Sequence, residues 1–156
     1  RKFQELSVDA YDDFEIEDLD SAINNLEENE RKYWEFIRNL RNDSRIKRGF
    51  VQQRHICCGE HEYYMKKEGK NYYICLDKGE PVGYIGVIER DIRVATHPDH
   101  QKKGVAKFMV EELMKKHPDA FAKVKIENEA SLRLFESCGF RKKYFILERN
   151  NASQSV

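Results

Sequence analysis

Apolar residues recur at the i, i+3, i+4, i+7 spacing of amphipathic helices in several parts of the chain. The first stripe covers 33–40 and predicts a helix that ends near Asn42, and a shorter helix is predicted over 60–67. A third helix begins after Gly104 and ends by His117, because the proline that follows cannot continue it. Of the three, the last has the best-defined boundaries.

Aromatic and β-branched residues fill the region between the second and third helices. The stretches 72–76, 82–88 and 92–96 have the composition of β-strands. Turn-forming residues at 78–81 and a tight turn at 89–90 separate them. The spacing therefore predicts three consecutive strands in an antiparallel meander.

A strand, a helix and a second strand are predicted after the third helix. Residues 122–126 alternate between apolar residues and lysine, which is the period of a strand with one buried face. Asn128 suits the cap of a helix that ends at Gly139, since glycine adopts the left-handed C-terminal conformation most easily. Residues 140–147 form a closing strand in this prediction. Helices and strands together predict an α/β fold.

The length and charge of the chain indicate one domain without a general affinity for polyanions. A chain of 156 residues can bury one core but not two, so we predict a single domain over 1–156. Its 28 basic and 28 acidic side chains cancel, which disfavours nucleic acid and anionic membranes as partners. Residues 1–30 form an acidic N-terminal segment, interpreted as a solvated face rather than a rim that attracts amines, and 149–156 form a polar tail.

Two further features of the composition bear on location and on metals. No apolar run approaches the roughly 20 residues that span a bilayer, and no signal segment is recognised, so a cytoplasmic location is expected. The 4 cysteines have neither the spacing of zinc sites nor the density of a disulfide scaffold. We therefore predict reduced thiols and no metal site.

The stretch 94–107 gives the strongest indication of chemistry. A strand is followed by a polar loop and then by Gly104, which opens a helix. The unpaired N–H groups and the positive dipole end of a helix N-terminus receive pyrophosphate, and glycine allows close approach of the backbone. Lys102, Lys103 and Lys107 add positive charge. An ordinary charged loop is the alternative, because neither GxxxxGK[ST] nor GxGxxG is present.

Two blocks of the sequence resemble the GNAT acetyltransferases. The first, QKKGVA at 101–106, matches the Q/R-x-x-G-x-G/A signature of that family. The second, NEAS at 128–131 followed by LFESCGF at 134–140, is similar to the helix that begins N-x-x-A/S and ends in Gly-Phe. The resemblance implies an α/β (α+β) fold with a mixed, mostly antiparallel sheet of about six strands flanked by helices. It also implies that two strands splay apart at the cofactor, acetyl-CoA.

The resemblance further implies which residues hold coenzyme A. Backbone groups of Val94, Ala95 and Thr96 would pair with the pantetheine arm, and the loop up to Ala106 would hold the pyrophosphate. Asn128, besides capping its helix, would lie near the arm. The implied cofactor-binding residues are Val94, Ala95, Thr96, Gln101, Lys102, Lys103, Gly104, Val105, Ala106, Lys107, Asn128, Ser131 and Phe135.

Acetyl transfer to an amine requires a base, because an alkyl amine has a pKa of about 10 and is protonated near neutral pH. Asp91 occupies the position at which similar enzymes carry an acidic residue, and Glu89 is the second candidate. Either residue could instead only close the hairpin. His61, His97 and His100 are alternative proton relays, for which surface or capping roles are the competing interpretation.

The position of the family's tyrosine acid is held by Phe135, which has no proton to give. Tyr144, Cys138 or water would then protonate the departing thiolate. The chain offers little beyond Glu148 for the last strand usual in the family. That edge is therefore shorter here or comes from a second subunit in a homodimer.

The predicted activity is N-acetyl transfer to the primary amine of a small molecule by direct attack in a ternary complex. The N-terminal half resembles, loosely, the enzymes that act on nucleotide-linked amino sugars and those that act on protein N-termini. An amino-sugar nucleotide is favoured by basic residues suited to a second diphosphate and by aromatic residues suited to stacking. These residues are Arg38, Arg41, Lys47, Arg48, Tyr63, Tyr64 and Tyr72. Acetylation of a protein or peptide, and a non-catalytic acyl-CoA-binding module, are the alternatives.

Overall fold

The structure is a computed structural model that describes residues 1–5 and 19–150. Part of the predicted acidic segment, 6–18, and most of the predicted polar tail, 151–156, lie outside the described residues. The described residues form a mixed α/β architecture in which one antiparallel sheet is flanked by helices. The predicted fold class is therefore confirmed.

The sheet has 4 strands, which lie in the order in which they occur along the chain. Every neighbouring pair is antiparallel. The last three strands are the predicted meander, and the first was not predicted. They are β1 (Lys2–Glu5), β2 (Tyr72–Asp77), β3 (Glu80–Ile88) and β4 (Asp91–Thr96).

Both hairpin turns of the meander use left-handed backbone conformations. Lys78 and Gly79 have φ of 52° and 84°, and Glu89 and Arg90 have φ of 50° and 68°. Two consecutive residues with positive φ are typical of the type I′ turn, whose twist matches that of the flanking strands. The turn predicted at 89–90 is thus confirmed, and the one predicted at 78–81 is shorter, because Glu80 and Pro81 already belong to β3.

The predicted helices are all present among the described residues. Helix α1 is longer than its predicted stripe, and Asp43 separates it from the short α2 by accepting a 2.8 Å hydrogen bond from the Arg45 N–H. The helices are α1 (Leu19–Asn42), α2 (Ser44–Lys47), α3 (Cys58–Glu68), α4 (Val105–Lys116) and α5 (Glu129–Ser137). Short 3-10 turns cover Gly69–Asn71 and Pro98–His100.

Each face of the sheet is covered by a different pair of helices. Helices α4 and α5 bury one face, where Met109 and Leu113 pack against Val82 and Ile85 of β3. Helices α1 and α3 bury the other face, and the core there includes Ile37, Met65, Tyr72, Ile74 and Tyr84. The sheet is therefore the middle layer of three, and β4 lies at its edge.

The predicted strands at 122–126 and 140–147 are wrong. Residues 122–126 form no strand, and the isolated parallel bridge between Asp91 and Phe121 lies just before them. Ala122 and Val124 still pack against the α4–α5 core, so the alternation is satisfied without a ladder of hydrogen bonds. Residues 140–147 have no regular secondary structure and are mostly exposed. The described sheet has 4 strands where about six were expected, because beyond the Asp91–Phe121 bridge neither segment pairs with β4.

Three observations concern membranes, metals and thiols. In the described part of the chain, no helix is long and apolar enough to cross a bilayer. Residues 1–5 and 19–150 contain no group of three His, Cys, Asp or Glu side chains that could hold a metal ion. Cys57, Cys58, Cys75 and Cys138 are free thiols, as the sequence predicted.

Candidate active site

One edge of β4 faces a gap instead of another strand. At the start of β4, the Ile92 N–H donates a 2.8 Å hydrogen bond to the Phe121 carbonyl, away from β3. Just past its end, the His97 N–H donates a 2.8 Å bond to the Val82 carbonyl of β3. The backbone N–H and C=O groups of successive residues in a strand point to opposite edges. The even-numbered residues of β4 therefore direct these groups away from β3. Beyond the Asp91–Phe121 bridge, this outward edge has no partner strand in the described residues.

The three residues predicted to meet the pantetheine arm are divided by this alternation. Val94 and Thr96 direct their N–H and C=O groups into the gap, whereas Ala95 pairs with Tyr84 of β3. Gln101 reaches back over the loop, and its Nε2 donates to the Thr96 carbonyl at 3.4 Å. The Thr96 hydroxyl oxygen is buried and has no hydrogen-bond partner in the described residues. An open strand edge with such unsatisfied groups is suited to an extended ligand.

The loop between β4 and α4 is fixed by short-range hydrogen bonds. His97 Nδ1 accepts a 3.2 Å bond from the Asp99 N–H and so caps the 3-10 turn that follows. Lys103 Nζ donates a 3.0 Å bond to the Asp99 carbonyl. The His100 ring lies 5.8 Å from the His97 ring, centroid to centroid. The capping role, one of the two interpretations of His97, is what these contacts show.

The start of α4 presents backbone donors without a capping side chain. Gly104 is the N-cap, with φ of 76° and ψ of 9°, a conformation that favours glycine. Its carbonyl accepts the first intrahelical bond, from the Phe108 N–H at 3.0 Å. The N–H groups of Val105, Ala106 and Lys107 precede any intrahelical acceptor. With the helix dipole, these donors form a site suited to an anionic group.

Basic side chains surround this helix start. Lys102 is exposed and has φ of 61°, so the loop contains two left-handed residues, Lys102 and Gly104. The Arg1 guanidinium donates to the Lys103 carbonyl, which brings a further positive charge to the loop. Lys107 Nζ lies 3.8 Å from a Glu111 carboxylate oxygen, so its charge is partly offset. The remaining cations still favour an anion here.

The predicted cap at Asn128 is confirmed. Its Oδ1 accepts a 3.1 Å bond from the Ser131 N–H, and its Nδ2 donates a 3.4 Å bond to the Gly49 carbonyl. Asn128 therefore caps α5 and ties its start to the turn after α2. Phe135, also in α5, is buried and packs on Phe140, with ring centroids 5.1 Å apart. Its surroundings are those of a core residue.

Asp91 is a buried carboxylate at the closed end of the gap. It is 6% exposed. Its Oδ2 lies 3.1 Å from Arg93 Nη2 and 3.9 Å from Lys123 Nζ. Its Oδ1 is buried and has no hydrogen-bond donor in the described part of the chain. A buried acceptor without a donor is costly, so it is suited to bind a substrate proton or N–H group.

The other predicted catalytic residues do not share this environment. Glu89 is exposed in the left-handed turn just before β4. Tyr144 is 79% exposed, with its ring 5.2 Å from Lys143 Nζ. Cys138 is partly buried, and burial raises the pKa of its thiol. The structure therefore brings Asp91 to the gap and leaves Glu89 and Tyr144 in solvent.

His61 has a structural role between two helices. Its ring is 3% exposed, and Nε2 lies 2.7 Å from the Trp34 carbonyl, which only accepts, so Nε2 carries the proton. Burial lowers the pKa of His61, with Arg41 and Arg38 adding to the effect. The buried Nδ1 has no partner in the described residues. His61 thus joins α3 to α1 as a neutral imidazole.

The residues predicted to recognise the acceptor are separated in the structure. Arg38 is engaged by Glu35 and by the Ile56 carbonyl, so it does not face a ligand. The hydroxyls of Tyr64 and Tyr72 are hydrogen-bonded at 2.8 Å, and burial holds the pKa of Tyr72 far above its usual range. Tyr63, Lys47 and Arg48 remain in reach of solvent.

Lys47 and Arg48 line a concavity beside α2 together with residues that the sequence did not single out. The lining residues are Ser44, Arg45, Lys47, Arg48 and Gln53. The basic residues that follow the Asp43 cap in the sequence are the signal from which this concavity could have been predicted. Because the break at Asp43 separates Lys47 and Arg48 from α1, these two residues need not lie on the same face as the arginines of α1.

A sequence profile described as the Acetyltransferase (GNAT) family matches residues 16–140. No curated protein gives a significant sequence match. The matched range includes β4 with its open edge, the loop after it and the start of α4.

Several solved structures share this architecture. A spermidine N-acetyltransferase from Vibrio cholerae, in complex with CoA and spermine, has 20% identity and a TM-score of 0.66 over 76% of this chain and 81% of that chain. A ribosomal-protein-alanine N-acetyltransferase from Brucella melitensis has 14% identity and a TM-score of 0.61, covering 71% and 80%. The Salmonella typhimurium protein yncA, with its cofactor acetyl-CoA, has 17% identity and a TM-score of 0.61, covering 71% and 75%. At these identities the likeness establishes the fold.

Proposed function

Because the chain belongs to the GNAT family of acetyltransferases, we propose that it transfers an acetyl group from acetyl-CoA to the primary amine of a small molecule. A nucleotide-linked amino sugar is the first candidate acceptor. One observation carries the proposal: the open edge of β4 leads directly into the uncapped start of α4. An extended ligand that carries a pyrophosphate group can pair along the strand edge and place the pyrophosphate at the helix start.

The residues present fit acetyl-CoA at both features. The free N–H groups at the start of α4 suit its pyrophosphate. The outward N–H and C=O groups of Val94 and Thr96 suit the amides of a pantetheine arm, which require the same partners as a strand does. Acetyl-CoA bound here would supply the acetyl group as a thioester, whose C–S bond would be exchanged for the C–N bond of the product, with coenzyme A leaving as its thiolate.

Asp91 is the proposed base. From Thr96 back to Asp91 the strand rises roughly 17 Å, so the carboxylate lies at the end of the gap opposite to α4. The Ala95 side chain belongs to the core between the sheet and helices α1 and α3. Because side chains alternate between the two faces of a strand, Asp91 lies on the same face as Ala95. An alkylammonium acceptor must lose a proton before its nitrogen attacks. Oδ1 of Asp91, which has no donor in the described residues, accepts that proton in this proposal.

No side chain is required to protonate the departing sulfur. A thiol has a pKa of about 8.5, so a thiolate leaves readily and water can protonate it. Phe135 is buried and has no proton to give, and Tyr144 is 79% exposed. Cys138 remains the alternative donor, because its raised pKa keeps the thiol protonated.

Calorimetric titration of acetyl-CoA into the wild type and into Gly104→Asp tests the cofactor site. The aspartate adds bulk and negative charge at the helix start, so binding should be lost. Gly79→Asp is the matched control, because Gly79 also has a positive φ, 84°, but lies in the β2–β3 turn. Equal binding by both variants, or no binding to the wild type, would overturn the proposal.

A non-catalytic acyl-CoA-binding module is the second candidate. The burial of Phe135 in the core favours it, since no side-chain acid stands at that position. This candidate predicts binding of acetyl-CoA without turnover on any amine. Release of free thiol from acetyl-CoA, measured against a panel of amines that includes amino-sugar nucleotides and peptides, separates the two.

A further inference from the structure

The turn after α2 forms a concavity with a basic lining. It is an open depression of about 540 Å³ on the surface, lined by Ser44, Arg45, Lys47, Arg48 and Gln53. A volume of this size is within the range of small-molecule sites. Neither the β4 gap nor the start of α4 contributes to the lining, so this concavity is separate from the candidate cofactor site.

Two cations of this lining lack an acidic partner among the described residues. Arg45 is paired with Asp43, with 2.6 Å between Nη2 and Oδ2, so its charge is compensated. The Arg45 side chain and backbone N–H hold the pKa of Asp43 at about 2, and its carboxylate stays ionised. In the part of the chain that the structure describes, no carboxylate oxygen lies within 4.0 Å of the Lys47 or Arg48 cationic nitrogens. The concavity therefore carries net positive charge, which favours an anion.

Hydrogen bonds hold the backbone that presents these cations. Gln53 Nε2 donates to two carbonyls of the turn, at 3.3 and 3.2 Å. Lys125 Nζ donates to the Arg48 carbonyl at 3.2 Å, and Asn128 Nδ2 donates to the Gly49 carbonyl at 3.4 Å. The last two bonds come from α5 and the segment before it. Because the turn is already ordered, a ligand pays little for ordering it on binding.

We infer that this concavity binds the phosphate or diphosphate group of the acceptor. Guanidinium and ammonium groups are the usual protein partners of phosphate oxygens. A polyamine would meet like charge at the same place, so phosphorylated amines are preferred over polyamines. The identity of the ligand as the acceptor rests on the proposed function, whereas the anion site itself rests on Lys47 and Arg48.

Titration of inorganic pyrophosphate into the CoA-saturated protein tests the anion site directly, because CoA fills the start of α4. The wild type should bind, and the double variant Lys47→Gln/Arg48→Gln should bind at least about tenfold more weakly, through loss of charge-assisted hydrogen bonds. Lys142→Gln/Lys143→Gln is the matched control, since both lysines are exposed beyond α5. Absence of binding to the wild type, or equal binding by the two double variants, overturns the inference.

A second measurement decides whether the anion belongs to the acceptor or to the cofactor. The double variant Lys47→Gln/Arg48→Gln should bind CoA as the wild type does. If it binds CoA more weakly but 3′-dephospho-CoA equally well, the concavity serves the cofactor's phosphate and the inference is overturned. In turnover, kcat/KM should fall at least about tenfold for a nucleotide-linked amino sugar and should not fall for spermidine, which loses only like-charge repulsion.

The two proposals fail in distinguishable ways. If the wild type does not bind CoA, the proposed function fails. The pyrophosphate titration is then repeated with Gly104→Asp, which removes the anion site at α4 without CoA. Binding that survives this change and is lost in Lys47→Gln/Arg48→Gln still supports the concavity, and binding insensitive to the double variant refutes it.

Discussion

The side-chain amide of Asn42 forms two hydrogen bonds with the backbone of Ile56. Its Nδ2 donates to the Ile56 carbonyl at 2.8 Å, and its Oδ1 accepts from the Ile56 N–H at 2.9 Å. Ile56 is 8% exposed and belongs to the segment between α2 and α3. Asn42 thus satisfies backbone groups that no strand or helix pairs, and it fixes the chain that leads from the basic concavity to α3.

Asn42→Ala should therefore destabilise the protein by about 2 kcal/mol, at about 1 kcal/mol for each hydrogen bond lost. For a chain of this size we expect the melting temperature to fall by about 4–8 °C. Asn39→Ala is the control, because Asn39 is exposed on the same helix. Thermal denaturation that shows the same midpoint for both variants would contradict this role of Asn42.

Asp91→Asn should lower kcat by about 100-fold or more, because the amide cannot accept the proton of the acceptor. KM for acetyl-CoA should change little, since Asp91 lies at the opposite end of the gap from α4. Asp119→Asn serves as the control: Asp119 is an exposed carboxylate paired with Arg90 in the neighbouring loop. A larger loss in Glu89→Gln than in Asp91→Asn would transfer the role of base to Glu89.

The elements that the sequence predicts correctly are those specified by neighbouring residues. The proline after His117 ends α4, and Asn128 caps α5 through the Ser131 N–H, as local chemistry requires. The strand predicted at 122–126 is not specified by neighbouring residues in this way. Alternation indicates which side chains are buried but not whether the backbone finds a partner. Beyond Phe121 the described backbone forms no further bridge with β4.

The candidate site shows the same division between local and distant information. The position of Gly104 at a helix start follows from the residues around it. The backbone of Val94 and Thr96 faces the gap and that of Ala95 faces β3. This difference depends on how β4 pairs with Phe121, which is distant in sequence. Likewise, the engagement of Arg38 by the Ile56 carbonyl could not be predicted, because the helix pattern does not show what packs on its polar side.

Two glycine-to-alanine substitutions should have opposite effects on stability. Gly79 has φ of 84° and Gly59 lies in the first turn of α3, and an added Cβ meets no atom within 4 Å at either position. Gly79→Ala should cost about 1 kcal/mol through backbone strain alone. Gly59→Ala should stabilise by about 0.5 kcal/mol through helix propensity. Urea denaturation measures both, and shifts of the same sign would refute the assignment of the turn.

Stability should fall as the pH drops below about 6.5, the ordinary pKa of histidine. Burial lowers the pKa of His61 in the folded state, so below that pH the unfolded chain takes up the proton first. The stabilising effect of a neutral His61 is complete above the unfolded pKa and is lost as the pH falls towards the folded pKa. Each pKa unit by which the folded and unfolded states differ contributes about 1.4 kcal/mol to the free energy of unfolding.

His61→Gln should flatten this dependence between pH 7.5 and 5.5, a window above the usual range of carboxylates. Glutamine retains a donor for the Trp34 carbonyl but does not titrate. The variant is expected to be less stable at pH 7.5, so the slope of the unfolding free energy against pH is the informative quantity. His55→Gln is the control, because His55 is exposed. A slope in His61→Gln equal to that of the wild type would show that another group is responsible.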